Sequence, residues 1–216
     1  MNVQDYRKLT LVADGTSDVA LLPILQWLWE QHFPEDLVDF QFADLSPVAA
    51  SLPSKSIRDR LPVALDLYPC EILFIHRDAE KEPPANRYKE IMEAISTLPK
   101  HIPPPKHLCV VPVRMSEAWM LSSEAAIRKA ADNPNGKTPL ALPHPSKIEQ
   151  MPDPKETLYQ LLTIAKSLPA QRRRSFNPAK AALLVTGHML DFSALRKLPS
   201  FQRLETDLLA LRQEIT

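Results

Sequence analysis

Five acidic residues of this sequence follow short apolar segments, at positions typical of ligand-binding loops. They are Asp14, Asp18, Asp78, Glu80 and Glu117. Carboxylate oxygens suit Mg²⁺ or Mn²⁺, because such an ion binds a few carboxylates, keeps several waters and takes other ligands from substrate phosphate. The five acids are therefore candidate ligands of a magnesium or manganese ion.

The segments before these acids have the character of β-strands. Residues 8–13 are largely apolar and end at a cluster of turn and helix-cap residues. Residues 71–76 are continuous and β-favouring, with an apolar run at 72–75, as expected of an interior parallel strand. Residues 107–113 predict another strand, with Ser116 placed to cap a helix that carries Glu117 in its first turn. In a parallel sheet, ligands bind outside the carboxyl ends of the strands, which is where these acids fall.

Helical patterns separate the strands. Apolar periodicity predicts helices over residues 19–31, 56–65 and 86–98, and alternation over 40–45 predicts a further strand. This order of elements predicts right-handed βαβ units. The fold class is therefore α/β, with a mostly parallel sheet flanked by helices.

The chain changes character after residue 131. Residues 132–152 are rich in Pro, Asn and Lys and show little periodicity, so we expect an irregular excursion. Asp153-Pro154-Lys155-Glu156 then has the pattern of a helix N-terminus, and two or three amphipathic helices follow. We predict an α/β core over 1–131 and a helical C-terminal extension, packed on the core, over 132–216.

Composition excludes several classes of protein. Lys+Arg and Asp+Glu both number 26, so no global charge draws the chain to nucleic acid or an anionic membrane. Only three glycines argue against a dinucleotide site or a P-loop. Cys70 and Cys109 are too few for a disulfide framework, and no apolar run is long enough to span a bilayer. We therefore expect a cytoplasmic protein with buried thiols, and its oligomeric state stays open.

Three segments of the chain resemble the small TOPRIM-like domain family of uncharacterised function. They are residues 12–18, 74–80 and 112–120, and shorter pieces at 153–155 and 198–201 extend the resemblance over most of the chain. TOPRIM domains occur in topoisomerases, primases and overcoming-lysogeny nucleases. They carry a glutamate after the first strand and Asp-x-Asp after a later one. Here Asp14 takes the place of the glutamate and Glu80 that of the second aspartate.

The resemblance implies a TOPRIM/Rossmann-like fold and a Mg²⁺- or Mn²⁺-dependent nuclease, or another phosphodiester-processing enzyme, acting on nucleic acid. The implied catalytic residues are Asp14, Asp78, Glu80, Glu117 and Lys155, with Asp18 as a further metal ligand. Arg77, Arg114 and Lys155 are candidates to hold phosphate, and His76 to carry a proton. The resemblance also implies an ABC-type ATPase as partner, in a toxin-like antiviral defence system.

Each of these features also has a purely structural interpretation. Asp14-Gly15 is common turn chemistry, Asp18 can cap a helix, and the helix dipole alone accounts for Glu117. The run Arg172-Arg173-Arg174 is typical of a solvated helix end, although it could bind phosphate. At the level of function, the alternative is a non-catalytic, TOPRIM-shaped binding or regulatory subunit in which the two carboxylate replacements have removed catalysis.

Overall fold

A computed structural model describes residues 6–169 and 175–215 of the 216-residue chain. The described residues form two compact units. The first comprises the chain up to Val111 together with the residues from Arg203 onward, and the second lies within Pro112–Gln202. The run at 172–174 lies outside the described residues.

The first unit contains a four-stranded parallel sheet. Its strands are β1 (Arg7–Val12), β2 (Val38–Phe42), β3 (Ile72–His76) and β4 (Lys106–Val110), in the spatial order β2-β1-β3-β4. Every neighbouring pair is parallel, and Val12 of β1 lies in register with Ile75 of β3. The predicted α/β fold with a mostly parallel sheet is confirmed.

Helices follow the strands of this unit. They are α1 (Leu22–His32), α2 (Ile57–Leu67), α3 (Pro84–Ser96) and the residues from Arg203 onward of the last helix, α8 (Pro199–Ile215). A separate 3-10 turn, Thr16–Leu21, precedes α1 where the sequence predicts the helix itself from residue 19. Ser56 caps α2, and its side chain accepts a hydrogen bond from the backbone N–H of Asp59.

Apolar side chains cover both faces of the sheet. On one face Leu73 and Ile75 pack with Leu61 of α2 and Ile91 of α3, all of them fully buried. Phe74 points to the other face, where its ring centroid lies 6.4 Å from that of Trp29 on α1. Because β3 is buried on both sides, its first four residues form a continuous apolar run, unlike a strand with one solvated face.

The second unit is helical. Its helices are α4 (Glu117–Met120), α5 (Glu124–Ala130), α6 (Pro154–Lys166) and α7 (Pro178–Val185), followed by the start of α8. Asp153 caps α6 as predicted, with its Oδ1 atom 2.8 Å from the backbone nitrogen of Glu156. Ser116 precedes α4 but makes no capping hydrogen bond through its side chain. The helical character of the C-terminal part is thus also confirmed.

Both cysteines are free thiols. Cys70 is half-buried and Cys109 is buried. Burial raises the pKa of both, that of Cys109 to about 11. Within the described ranges, no helix has both the length and the apolar character needed to cross a bilayer.

Candidate functional site

The strand order reverses between β1 and β3. The chain leaves β1 for β2 on one side, whereas β3 pairs with β1 on the other. In open α/β sheets the crevice at such a reversal, outside the carboxyl ends of the strands, is where ligands bind. Asp14 and Asp18 follow β1, and Asp78 follows β3, so these three predicted residues border that crevice.

A buried histidine lies between two of the predicted acids. His76, the last residue of β3, is fully buried; its Nε2 atom is 3.4 Å from Oδ1 of Asp78 and 3.9 Å from Oδ2 of Asp18. Its Nδ1 atom lies 3.0 Å from the carbonyl oxygen of Val110. A carbonyl oxygen only accepts, so Nδ1 must carry a proton. We call Asp18, His76 and Asp78 the histidine corner.

The Nε2 atom of His76 has no hydrogen-bond partner of good geometry among the described residues. A buried polar atom left in this way costs about 1–3 kcal/mol, and native structures contain few of them. The two carboxylates lie near enough to attract this nitrogen when it is protonated, but neither makes a regular hydrogen bond with it. The histidine corner therefore has an arrangement that packing alone does not explain.

Asp18 is held in place by its own turn. It lies in the 3-10 turn, is 8% exposed, and accepts a hydrogen bond of 2.8 Å at Oδ2 from the backbone N–H of Gly15. The same Oδ2 atom is the one closest to His76. The structural interpretation of Asp18 as a capping residue is therefore correct, and it is compatible with a role in the corner.

The remaining acids of this edge meet arginines. Arg77 donates from Nη1 to Oδ1 of Asp14 and places Nη2 3.1 Å from Oε1 of Glu90. The Nη1 atom of Arg87 lies 3.0 Å from Oε2 of Glu90, and its Nη2 atom lies 3.6 Å from Oε2 of Glu80. We call these five residues the arginine cluster. Asp14 and Glu80, both predicted metal ligands, thus belong to ion pairs at this edge.

The arginine cluster is joined to the corner through the backbone. The Nε–H of Arg87 donates to the carbonyl oxygen of Asp78 over 3.0 Å. Glu80 has a left-handed backbone with φ of 54°, which non-glycine residues adopt infrequently and which costs about 1 kcal/mol. The turn after β3 is thus held in an uncommon conformation that directs Asp78 and Glu80 to different partners.

Arg60 is a further cation at this edge. It donates from Nη1 to the carbonyl oxygen of Asp14, while its Nε atom is buried and has no hydrogen-bond partner among the described residues. Burial lowers the pKa of the Arg60 guanidinium, and the nearby Asp14 and Asp18 carboxylates act in the opposite direction.

Sequence reasoning missed Arg60, Arg87 and Glu90. Arg60 and Arg87 are each the fourth residue of their helix. The positive end of the helix dipole disfavours a cation there unless an anion lies close by. A positive charge near the N-terminus of a helix is therefore the sequence signal that could have identified both arginines.

The second unit holds the other predicted residues. Glu117 is 9% exposed, and its Oε1 atom lies 3.0 Å from Nζ of Lys155. Arg114, also predicted to hold phosphate, has a left-handed backbone with φ of 68°. The structure therefore brings Glu117 and Lys155 together as an ion pair within this unit.

The donor atoms of the histidine corner fit magnesium in their chemistry. Among the residues that the structure describes, no group of three or more His, Cys, Asp or Glu side chains is arranged to hold a metal ion. Mg²⁺ seldom needs such a cage, since it commonly binds one or two carboxylates and completes its shell with water and substrate phosphate. Asp18 and Asp78 are two carboxylates that approach the same imidazole nitrogen.

The fold and site together define an α/β protein with an acidic crevice at the reversal point of a parallel sheet. Comparison with known proteins finds no matching protein family, no matching curated protein and no matching solved structure. Any assignment of function therefore depends on the site itself.

Proposed function

We propose that this protein is a magnesium-dependent phosphodiester-processing enzyme, a nuclease of the TOPRIM type, with the histidine corner as its active site. The observation that carries the proposal is the buried His76, whose unsatisfied Nε2 faces two carboxylates at the reversal point of the sheet. A buried polar atom without a hydrogen bond is uncommon in a native structure, and a catalytic role is one of its recognised explanations. Nucleic acid is the proposed substrate, in the cytoplasm, with an ABC-type ATPase as the proposed partner.

The two carboxylates of the corner would hold the metal. Mg²⁺ bound there supplies charge that polarises a phosphodiester and lowers the pKa of an attacking water. The backbone N–H of Gly15 holds Oδ2 of Asp18, and the hydrogen bond from Arg87 to its carbonyl oxygen holds the backbone of Asp78, so part of this site is ordered before a ligand arrives. Orientation in advance is what such a site requires, because carboxylates that must reorder lose binding energy.

His76 acts on the carboxylates and does not touch the substrate. Its ring is fully buried, and Val110 fixes the tautomer with a proton on Nδ1. Nε2 can then accept a proton that the attacking water releases, relayed by a carboxylate oxygen that does not hold the metal. His76 is therefore a positioning residue and a store for one proton.

The arginines would bind the phosphate of the substrate. A guanidinium is planar and offers paired N–H donors that match phosphate oxygens. Arg77 is only 15% exposed and now donates to Asp14. A phosphate bound in the crevice would share the guanidinium of Arg77 with Asp14 and Glu90.

A second candidate function is a non-catalytic binding subunit with the same fold. The ion pairs of Asp14 with Arg77 and of Glu80 with Arg87 support it, because they neutralise two carboxylates that catalysis by a TOPRIM site would use. In this candidate the crevice would bind a phosphate-bearing ligand without cleaving it.

Cleavage assays distinguish the two candidates. The wild type, Asp78→Asn and Asp66→Asn are incubated with DNA and RNA substrates in Mg²⁺, Mn²⁺ or EDTA, with and without any ATPase encoded beside the protein. Asp66→Asn is the control, because it removes a carboxylate from the exposed surface of α2. We expect metal-dependent cleavage that Asp78→Asn abolishes and Asp66→Asn preserves. Folded wild-type protein that cleaves nothing under any condition would favour the binding subunit.

A further inference from the structure

A cavity of about 190 Å³ opens beside the crevice, within the first unit. It begins at the Asp14–Thr16 turn after β1, passes the end of β2 and reaches α2 at Arg60. Its lining combines an apolar wall with charged and hydroxyl groups: Asp14, Gly15, Thr16, Phe42, Ala43, Asp44, Leu45, Ser46, Ala49, Leu52, Lys55 and Arg60. The turn that lines one end of this cavity also carries Asp18 of the histidine corner.

The apolar wall suits a flat ring. Phe42, Leu45 and Leu52 line the cavity, and Leu45 is buried in the core that lies behind it. Ligand sites of proteins are commonly of this kind, an apolar surface with a few polar groups that fix orientation. The cavity is smaller than the roughly 300 Å³ at which sites for drug-sized ligands begin, so it admits one ring system.

The polar groups provide both signs of charge. Asp44 accepts a hydrogen bond of 2.9 Å from the backbone N–H of Ser46, and hydrogen bonds from the side chain and backbone of Ser46 lower its pKa. Asp44 is therefore a charged acceptor at neutral pH. Lys55 and Arg60 supply the cations, and the buried Nε–H of Arg60 still needs an acceptor.

We propose that this cavity is a nucleotide subsite, in which the apolar wall receives a base and Lys55 and Arg60 hold the phosphate attached to it. A nucleotide carries the three features that the lining requires: an apolar ring face, amino N–H groups for Asp44, and an anion for the two cations. Arg60 also contacts the carbonyl oxygen of Asp14, so the phosphate end of the nucleotide would lie toward the crevice. This inference rests on the proposed function and names the substrate class of its site.

A binding measurement without metal tests the subsite. Adenosine monophosphate, a short single-stranded DNA oligonucleotide and inorganic phosphate are titrated into the protein in EDTA by calorimetry. Binding of the mononucleotide alone identifies a free nucleotide as the ligand, and binding of the oligonucleotide identifies a nucleotide unit of a strand. Binding of neither, or phosphate binding as tight as that of the mononucleotide, would overturn the proposal.

Two alanines provide matched variants. Ala49 and Ala50 are both exposed, but only Ala49 lines the cavity. Ala49→Trp places a bulky ring in the cavity and is expected to weaken binding at least about tenfold, or about 1.4 kcal/mol. Ala50→Trp adds the same ring outside and is expected to bind like the wild type. Equal loss in both variants, with both proteins folded, would contradict the assignment of the cavity.

The subsite and the proposed nuclease activity can fail separately. Asp78 does not line the cavity, so Asp78→Asn should bind the nucleotide in EDTA as the wild type does while losing cleavage. Nucleotide binding without cleavage by any variant would support the subsite and refute the nuclease. Metal-dependent cleavage that Ala49→Trp leaves unchanged, together with no nucleotide binding by the wild type, would support the nuclease and refute the subsite.

Discussion

The histidine corner and the arginine cluster lie at the same edge of the sheet, and both contain acids that the sequence offers as metal ligands. In the corner, Asp18 and Asp78 face a buried imidazole nitrogen that has no hydrogen-bond partner in the described part of the chain. In the cluster, Asp14 and Glu80 face guanidinium groups. All four acids follow a strand in the sequence, but they differ in the basic group that lies beside them.

This difference separates two kinds of carboxylate site. A carboxylate paired with an arginine already has its charge balanced, and a metal ion must displace the arginine to bind. A carboxylate beside an imidazole meets a ring that is not a permanent cation, unlike a guanidinium. The corner and the cluster therefore differ in whether a permanent positive charge balances the carboxylates.

The largest expected effect compares the two regions through catalysis. We expect Asp18→Asn to lower the cleavage rate at least about 100-fold, and Asp14→Asn to lower it less than about tenfold, because only Asp18 lies in the corner. Single-turnover rates at saturating Mg²⁺ measure both. An equal loss in the two variants would show that Asp14 leaves Arg77 and joins the site, as the TOPRIM resemblance implies.

The next effect concerns stability, where the cluster should dominate. Arg77→Ala leaves Asp14 and Glu90 without their shared, largely buried partner, and we expect a loss of about 2 kcal/mol, below the cost of breaking a fully buried pair. Urea unfolding measures it. The control is Lys89→Ala, whose pair with Glu93 is exposed and 3.7 Å long, so its loss should be close to zero. Similar losses in both variants would mean that the cluster contributes little to folding.

The sheet could be predicted from sequence because each strand has a strong local signature. The apolar run at residues 72–75 and the turn cluster at 14–18 indicate where β3 and β1 end. Parallel pairing then places the acids that follow them at one edge of the sheet. The packing partners of the helices could not be predicted in this way. The apolar face of α8 is visible in its periodicity, but nothing local indicates that its residues from Arg203 onward belong with the first unit.

The partners of the acids could not be predicted for the same reason. Arg60 and Glu90 are distant from Asp14 in sequence, and only the fold brings them near it. Arg60 contacts the carbonyl oxygen of Asp14, and Arg77 pairs with the carboxylates of both Asp14 and Glu90. Asp78 and Glu80 are separated by one residue, yet the left-handed backbone at Glu80 gives them different partners. A spacing of two residues indicates a common face only where the strand remains regular.

A small change in stability is expected at His76 itself. In His76→Leu the hydrogen bond to Val110 is lost, but so is the cost of the unsatisfied Nε2, and the two effects are of similar size. We therefore expect the free energy of unfolding, measured in urea, to change by no more than about 1 kcal/mol. Over the same substitution, the cleavage rate should fall about 100-fold, a loss typical of removing a proton carrier.

Thr10→Val is the matched comparison for this substitution. Thr10 is also fully buried on a central strand, but its hydroxyl donates to the carbonyl oxygen of Tyr68 over 3.2 Å and accepts from Gln41 over 2.8 Å. Removing these satisfied hydrogen bonds should cost about 1–2 kcal/mol without changing cleavage. His76→Leu could instead destabilise the protein more than Thr10→Val and leave cleavage intact. In that case His76 would be a structural residue, and the corner, like the cluster, would serve only to hold the fold.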